Sequence, residues 1–266
     1  MSNQKKPVTG RSRNVALSLN KFVYRLSRNW VSFFNLVVGI YVGLPILAPI
    51  LLNFGVNGPA SVIYTMYSPM CHQMASRSFF LFGEQVAYPR ELADSSLTPL
   101  EAYTADIPEF AGVADDNWAD FFIAARNFRG NEQLGYKMAL CERDIAIYGF
   151  LFIGGLIYAV LRRRYDIKPI PLWAFIMIGM GPIGLDGFSQ LFGYYATPID
   201  GSAAEGFGAF LGGVFPIRES SPFLRTFTGA VFGLMLAWLI YPHLNNSFQD
   251  TESQIETKLR RIDELP

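Results

Sequence analysis

The sequence predicts an all-α membrane protein. It has four transmembrane helices, both termini cytoplasmic, an interfacial or re-entrant helix, and a large acidic extracytoplasmic insertion. Three observations lead there. Between Arg28 and Arg77 the only ionisable side chains are Tyr41, Tyr64, Tyr67, Cys71 and His72, and a bilayer core needs about 20 apolar residues in a helix. Further apolar runs follow residue 140. Two basic clusters lie two spans apart, one at the N-terminus and one at Arg162-Arg163-Arg164 with Lys168. Positive charge stays on the cytoplasmic side, so both clusters belong there, and so do both ends of the chain.

Composition narrows the classes. The 22 basic and 22 acidic residues cancel, and no aromatic-basic alternation appears, which excludes a general nucleic-acid binder. Two cysteines exclude a disulfide-stapled scaffold but allow one bridge.

Residues 1–29 carry seven Lys/Arg and no acid, with Val15, Leu19, Phe22, Val23 and Leu26 at helical spacing. They read as a basic amphipathic cytoplasmic helix lying on the membrane. Residues 30–83 hold the first span and a Cys-His segment. The span runs from Trp30 to Asn53, an uncleaved anchor. Asn35, Gly39 and Gly43 form a narrow face for close helix packing, and Pro45 and Pro49 bend its second half. Ile63, Met66, Tyr67 and Met70 then share one face of a helix too short to span before Arg77.

Residues 84–140 hold ten Asp/Glu against Arg90, Arg126, Arg129 and Lys137, with no long apolar run. They read as a water-exposed insertion of helix and loop. Asp115-Asp116-Asn117 lacks the spacing and terminal Glu of a calcium loop, so it reads as solvated acidic surface. Residues 141–243 hold the remaining spans, at about residues 145–161, 171–195 and 222–243, with a Gly-rich loop from Ala196 to Ser221. Ser220-Ser221-Pro222 reads as a cap and first-turn proline. Residues 244–266 form a charged cytoplasmic tail.

This topology gathers the unusual polar residues at the extracytoplasmic helix ends. Cys141, Asp144 and Tyr148 share a stripe on the second span, and Pro182, Asp186 and Gln190 one on the third. From Pro171 to Asp186 is roughly 22 Å of helix at about 1.5 Å per residue, which leaves the carboxylate within the membrane and in need of a partner. Arg225 heads a small-residue face with Gly229, Gly233 and Ala237. It therefore points inward, and an Asp186–Arg225 pair is expected, with a role either in helix register or in a polar pocket. Asp186 and Arg225 are the candidate catalytic residues; Gln190, Arg143, Arg77 and Tyr148 are candidate ligand-binding residues. For the cysteines three readings stay open: a Cys71–Cys141 disulfide, a zinc-type metal site of Cys71, His72, Cys141 and Asp144, and independent thiols.

Four motifs carry a resemblance: Cys71-His72-Gln73 with Arg77-Ser78-Phe79, Cys141-Glu142-Arg143-Asp144-Ile145-Ala146-Ile147-Tyr148, Asp186-Gly187-Phe188-Ser189-Gln190, and Arg225-Thr226-Phe227-Thr228-Gly229. In this order on membrane-helix ends, the chain resembles a family of bacterial and archaeal membrane proteins, domain of unknown function twenty-eighty-five. The resemblance covers roughly residues 64–233 apart from the acidic insertion. It implies a prokaryotic cytoplasmic (inner) membrane, multi-pass location and no established activity. Asp144 stands where the family pattern has a second cysteine, and Ala146 where it has glycine. A dithiol centre within that motif is thereby ruled out, while a metal-binding carboxylate is kept.

The function expected is an integral membrane protein with a polar metal- or small-ligand-binding site at the helix ends, zinc being the candidate metal, and enzymatic action left open. Alternatives are an accessory subunit or assembly factor of a larger membrane complex, where the insertion makes the contacts, and a small-solute or ion transporter component. The latter needs homo-oligomers, since no inverted repeat appears.

Overall fold

A computed structural model of the chain describes residues 10–113, 118–197 and 205–264. Four helices are long and apolar enough to cross a membrane: Trp30–Asn53, Glu142–Leu161, Leu172–Tyr195 and Pro222–Arg260. We call them the first to fourth spans. The second span is central, packing against the first and the fourth; the third packs on the fourth. Lys5, Lys6 and Asp115-Asp116-Asn117 lie outside the described residues.

The small-residue faces do what their size permits. A Cβ at Gly233 would overlap the Ile147 carbonyl oxygen, and one at Gly229 would crowd Arg143 and Ala146. The fourth span therefore lies against the second at backbone distance. On the first span, Asn35 accepts a hydrogen bond from the Tyr241 hydroxyl at 2.6 Å. Gly39 makes room for the Phe152 ring, whereas a Cβ at Gly43 would meet nothing.

The first span continues unbroken through Pro45 and Pro49. Pro49 has no N–H, so the Pro45 carbonyl four residues earlier loses its helical partner. The Ala139 N–H donates to that carbonyl at 3.2 Å. A proline vacancy thus ties the 84–140 segment to the span.

Two helices differ from the sequence expectation. The fourth span does not end near His243. It runs through Pro242 to Arg260, so much of the charged tail is the same helix. The N-terminal helix Arg11–Arg28 packs antiparallel along that extension: Tyr24 clusters with Ile255 and Leu259, Lys21 pairs with Glu264 at 2.7 Å, and Trp30 stacks on Phe248. It is therefore not solely a membrane-surface helix, although Val15, Leu19 and Phe22 remain exposed. Its amphipathicity serves a protein partner on one side.

The end of the bundle away from the termini, the site end, carries the other departure. Residues 84–140, expected as helix and loop, also carry a hydrophobic core and short strands. With Ala75 and Phe80 they build their own core around Tyr88, Leu100, Ile107, Phe110, Phe121 and Phe128. A small antiparallel sheet of order β1-β3-β2 joins Phe80–Leu81 (β1), Gly130–Asn131 (β2) and Gly135–Lys137 (β3). Phe80 faces Lys137, and Gly130 faces Tyr136. Gly135 has φ +75°, and a Cβ there would strike the Leu81 carbonyl oxygen, so this crossing needs glycine. The fold is thus mostly helical rather than all-α.

The short helix Asn57–Tyr67 doubles back along the first span. Ile63, Tyr64 and Tyr67 bury against Ala48, and the Tyr67 hydroxyl donates to the Tyr41 carbonyl at 2.7 Å. Its buried face is Ala60, Ile63, Tyr64 and Tyr67; Met66 and Met70, expected on that face, are exposed.

Candidate functional site

At the site end, four arginines and three acids from separate segments interlock. Asp186, one side of the third span, is buried. Its carboxylate accepts from Arg143 of the second span, from Arg218 at 2.9 Å, from the Ser220 hydroxyl, and from Gln190 at 3.2 Å. Gln190, one turn on, also donates to Ser220 Oγ at 2.8 Å and accepts from the Ser220 N–H at 3.2 Å. The Asp186/Gln190 spacing therefore grips the strand of chain that leads into the fourth span.

Arg225 does not reach Asp186, and the expected pair is corrected. Its guanidinium bonds Glu219 at 2.9 Å, lies 3.5 Å from Glu142, and donates to the Ser76 carbonyl at 3.3 Å. Glu219 also takes Arg77 at 2.8 Å and the Tyr194 hydroxyl. Burial alone would raise the Glu219 carboxyl, but Arg77, with Arg225 and Tyr194, outweighs it and holds the group at about 2. The Glu219 N–H donates to the Leu92 carbonyl at 3.3 Å, which joins this network to the 84–140 segment.

Arg77, Cys141, Arg143, Gly187, Gln190, Leu191, Tyr194 and Arg225 line a cavity of about 290 Å³. Arg77 and Arg143 each bury an Nε–H that no described protein atom accepts, and both Glu142 carboxylate oxygens lack a hydrogen-bond donor. Buried polar groups left without partners are uncommon and call for a ligand, an ion or water. Arg77, Arg143, Arg218 and Arg225 against Glu142, Asp186 and Glu219 leave one positive charge over, before Asp144 beyond Cys141 is counted.

Beside the cavity, one ligand atom each of Cys71, Cys141 and Asp144 lie within 4.8 Å of one another. Both cysteines are free thiols. Cys71 Sγ accepts from the backbone N–H of Gln73 at 3.4 Å and of Cys141 at 3.3 Å. A hydrogen bond from the Cys141 thiol, helped by these amides, lowers the Cys71 thiol below its usual range despite burial. Cys141 Sγ also lies 3.2 Å from Asp144 Oδ2. Two sulfurs and a carboxylate suit a borderline or soft cation.

His72 is not part of this cluster. It is exposed and packs edge-on against Phe122. Tyr148 does not line the cavity either; it meets Tyr41 edge-on with ring centroids 4.5 Å apart. Of the expected residues, Arg77, Cys141, Arg143, Gln190 and Arg225 come together around the cavity, with Asp186 behind Arg143. Glu142, Tyr194, Arg218, Glu219 and Ser220 were not anticipated. A signal existed for three of them: Arg218-Glu219-Ser220 directly precedes the Ser221 cap, where polar residues are held next to the helix start.

Residues 125–239 match the model of a family described as "Predicted membrane protein (DUF2085)". The match takes in Cys141, Arg143, Asp186, Gln190 and Arg225; Cys71 and Arg77 lie ahead of it. An uncharacterised protein of Methanocaldococcus jannaschii is 24% identical over 180 residues, 68% of this chain and 67% of the relative. No solved structure matches the chain. The family match and the four apolar helices agree on a membrane protein.

Proposed function

We propose that this membrane protein binds a small oxyanion, a carboxylate or phosphate-type group, in the arginine-walled cavity at the site end of its spans. What supports this is the pair of buried, unaccepted Nε–H donors on Arg77 and Arg143, both lining one cavity with Arg225, Gln190 and Tyr194. Guanidinium N–H groups fixed around one cavity bind an oxyanion with charge-assisted hydrogen bonds. Two of the three acids nearby are occupied, Asp186 by Arg143 and Arg218 and Glu219 by Arg77 and Arg225, while Glu142 lies 3.5 Å from Arg225. The donors left over then define the ligand's chemistry.

A second reading concerns the wall of the same cavity. Cys71, Cys141 and Asp144 supply three ligands of a tetrahedral zinc-type site, and Cys141 also lines the cavity. A metal held there would keep a fourth position for the bound anion, the arrangement of zinc sites that act on ligands. Orientation belongs to the proposal too. Arg162-Arg163-Arg164 and the basic N-terminal helix favour a cytoplasmic side for the termini, which puts the cavity and the 84–140 segment on the extracytoplasmic side of a prokaryotic cell membrane.

The test is thermal unfolding of the detergent-purified full chain with added phosphate, sulfate or acetate, and separately with zinc. A ligand at about 100 times its dissociation constant stabilises by about 2.7 kcal/mol. The expected result is an anion-dependent rise in the midpoint that Arg77→Gln abolishes and Arg77→Lys retains in part. No rise with any of these anions overturns the anion reading. Zinc that binds equally well to wild type and to Cys141→Ser overturns the metal reading.

A further inference from the structure

The polar surface around the doubled-back helix Asn57–Tyr67 carries two arginines that form no ion pair among the described residues. Arg126 donates to Ser68 Oγ at 2.7 Å, and Arg129 donates to Ser61 Oγ at 2.8 Å and lies over the Tyr64 ring. Tyr64, Ser68, Arg126 and Arg129 line one recess of about 420 Å³, which shares no residue with the arginine-walled cavity.

The position of this recess can be read from hydrogen bonds. Gln73 Nε2 donates to the Tyr64 carbonyl at 2.8 Å and to the Ala139 carbonyl at 2.9 Å. Ala139 lies three residues before Glu142, where the second span begins, and it also holds Pro45 of the first span. The recess thus lies beside the start of the second span and the second half of the first. On the same short helix and just past it, Val62, Met66 and Met70 are 59%, 56% and 63% exposed. They recur at steps of four along an open apolar stripe directly beside the hydroxyls that hold the arginines. Water on such a stripe is unfavourable; acyl chains are not.

We propose that Arg126 and Arg129 bind the phosphate of an anionic phospholipid whose acyl chains lie along Val62, Met66 and Met70. Both halves of the lipid are addressed side by side, with charged donors held at Ser61 and Ser68 and exposed apolar side chains at Val62, Met66 and Met70 next to them. The site would fix the 84–140 segment to the membrane surface, since Arg126 and Arg129 belong to that segment and the stripe belongs to the helix under it.

The experiment places the full chain in nanodiscs of phosphatidylcholine with phosphatidylglycerol and counts the lipids that stay bound by native mass spectrometry. The expected result is selective retention of phosphatidylglycerol by wild type. Each of Arg126→Gln and Arg129→Gln lowers that retention about tenfold, as loss of a charge-assisted hydrogen bond implies. The double Arg→Lys variant keeps the charge and retains part of the selectivity, which distinguishes lost contact from lost fold. Equal retention of the two lipids by wild type overturns the proposal, as does undiminished phosphatidylglycerol retention in the double Gln variant. A thermal shift with inorganic phosphate in detergent that Arg126→Gln removes, with no lipid selectivity, also overturns it in favour of a free anion. None of these outcomes depends on Arg77 or Arg143, so the test is separate from that of the cavity.

Discussion

Arg225 and Glu219 form a buried ion pair at 2.9 Å, and Asp186 takes a different pair of guanidiniums. Two acids each bridge two arginines: Asp186 joins the second span to the chain before the fourth, and Glu219 joins Arg77 to the fourth. Such alternation lets four cations, Arg225 buried and Arg77, Arg143 and Arg218 half-buried, sit within one helix-end cluster. It also makes each acid costly to remove, because deleting one partner strands charges in low dielectric, about 3–5 kcal/mol for a buried pair.

Glu219 supplies the acid-side prediction. Its carboxyl is held at about 2 against an ordinary value of 4.5. A depressed carboxylate contributes stability that is complete above its unfolded value and is lost as pH falls toward the folded one. Wild type should therefore lose stability from pH 4.5 down to 2 more steeply than Glu219→Gln, by several kcal/mol at about 1.4 kcal/mol per unit. Chemical unfolding of detergent-solubilised protein across that range measures it. Parallel curves for the two proteins would refute the assignment.

Much of the scaffold was legible because lipid imposes simple rules. The first span is found from Trp30 to Asn53, and the face of Gly229, Gly233 and Ala237 packs as its small side chains require. The convergence of Arg77, Cys141, Arg143, Gln190 and Arg225 was also visible from helix ends alone. The pairing was not. Periodicity says that Arg225 faces inward, but not which acid waits there, and Glu219 lies in a loop where no period applies. Residues 75–140 were opaque for a related reason: their core is reached through short turns and two- or three-residue strands, which leave no repeat in the sequence. The helix past Pro242 was missed because proline usually marks an end, whereas here Tyr24 and Leu17 of the N-terminal helix cover the extension and keep it packed.

Gly233→Ala tests the close approach of the central spans. The new methyl would overlap the Ile147 carbonyl oxygen, a backbone atom that moves only with its helix. The expected loss is about 1–3 kcal/mol, the usual cost of overpacking. Thermal unfolding should show it, with Gly43→Ala, where a Cβ meets nothing, as the silent control. An unchanged midpoint in Gly233→Ala would mean that these helices are further apart than described.

Lys137 supplies an alkaline prediction. It is fully buried, and its ammonium donates to the carbonyls of Gln73, Ala125 and Arg126. Burial, with Arg129 adding, pushes it down to about 7 from 10.5. Between those values the unfolded chain binds the extra proton, so stability rises with pH across that window. Midpoints of wild type and Lys137→Met measured over it should diverge, the wild type gaining and the variant staying flat. Two equally flat profiles would count against a depressed lysine.

The central claim, that the arginine-walled cavity attracts an oxyanion, is tested most directly on the thiol that lines it. In a Cys71→Ser background, Cys141 is the single cysteine, so its alkylation by anionic iodoacetate and neutral iodoacetamide can be compared. Cationic walls should favour iodoacetate, Arg143→Gln should lower the iodoacetate-to-iodoacetamide ratio about tenfold, and inorganic phosphate should slow both reagents. A ratio indifferent to Arg143→Gln, with alkylation unaffected by phosphate, would contradict the account.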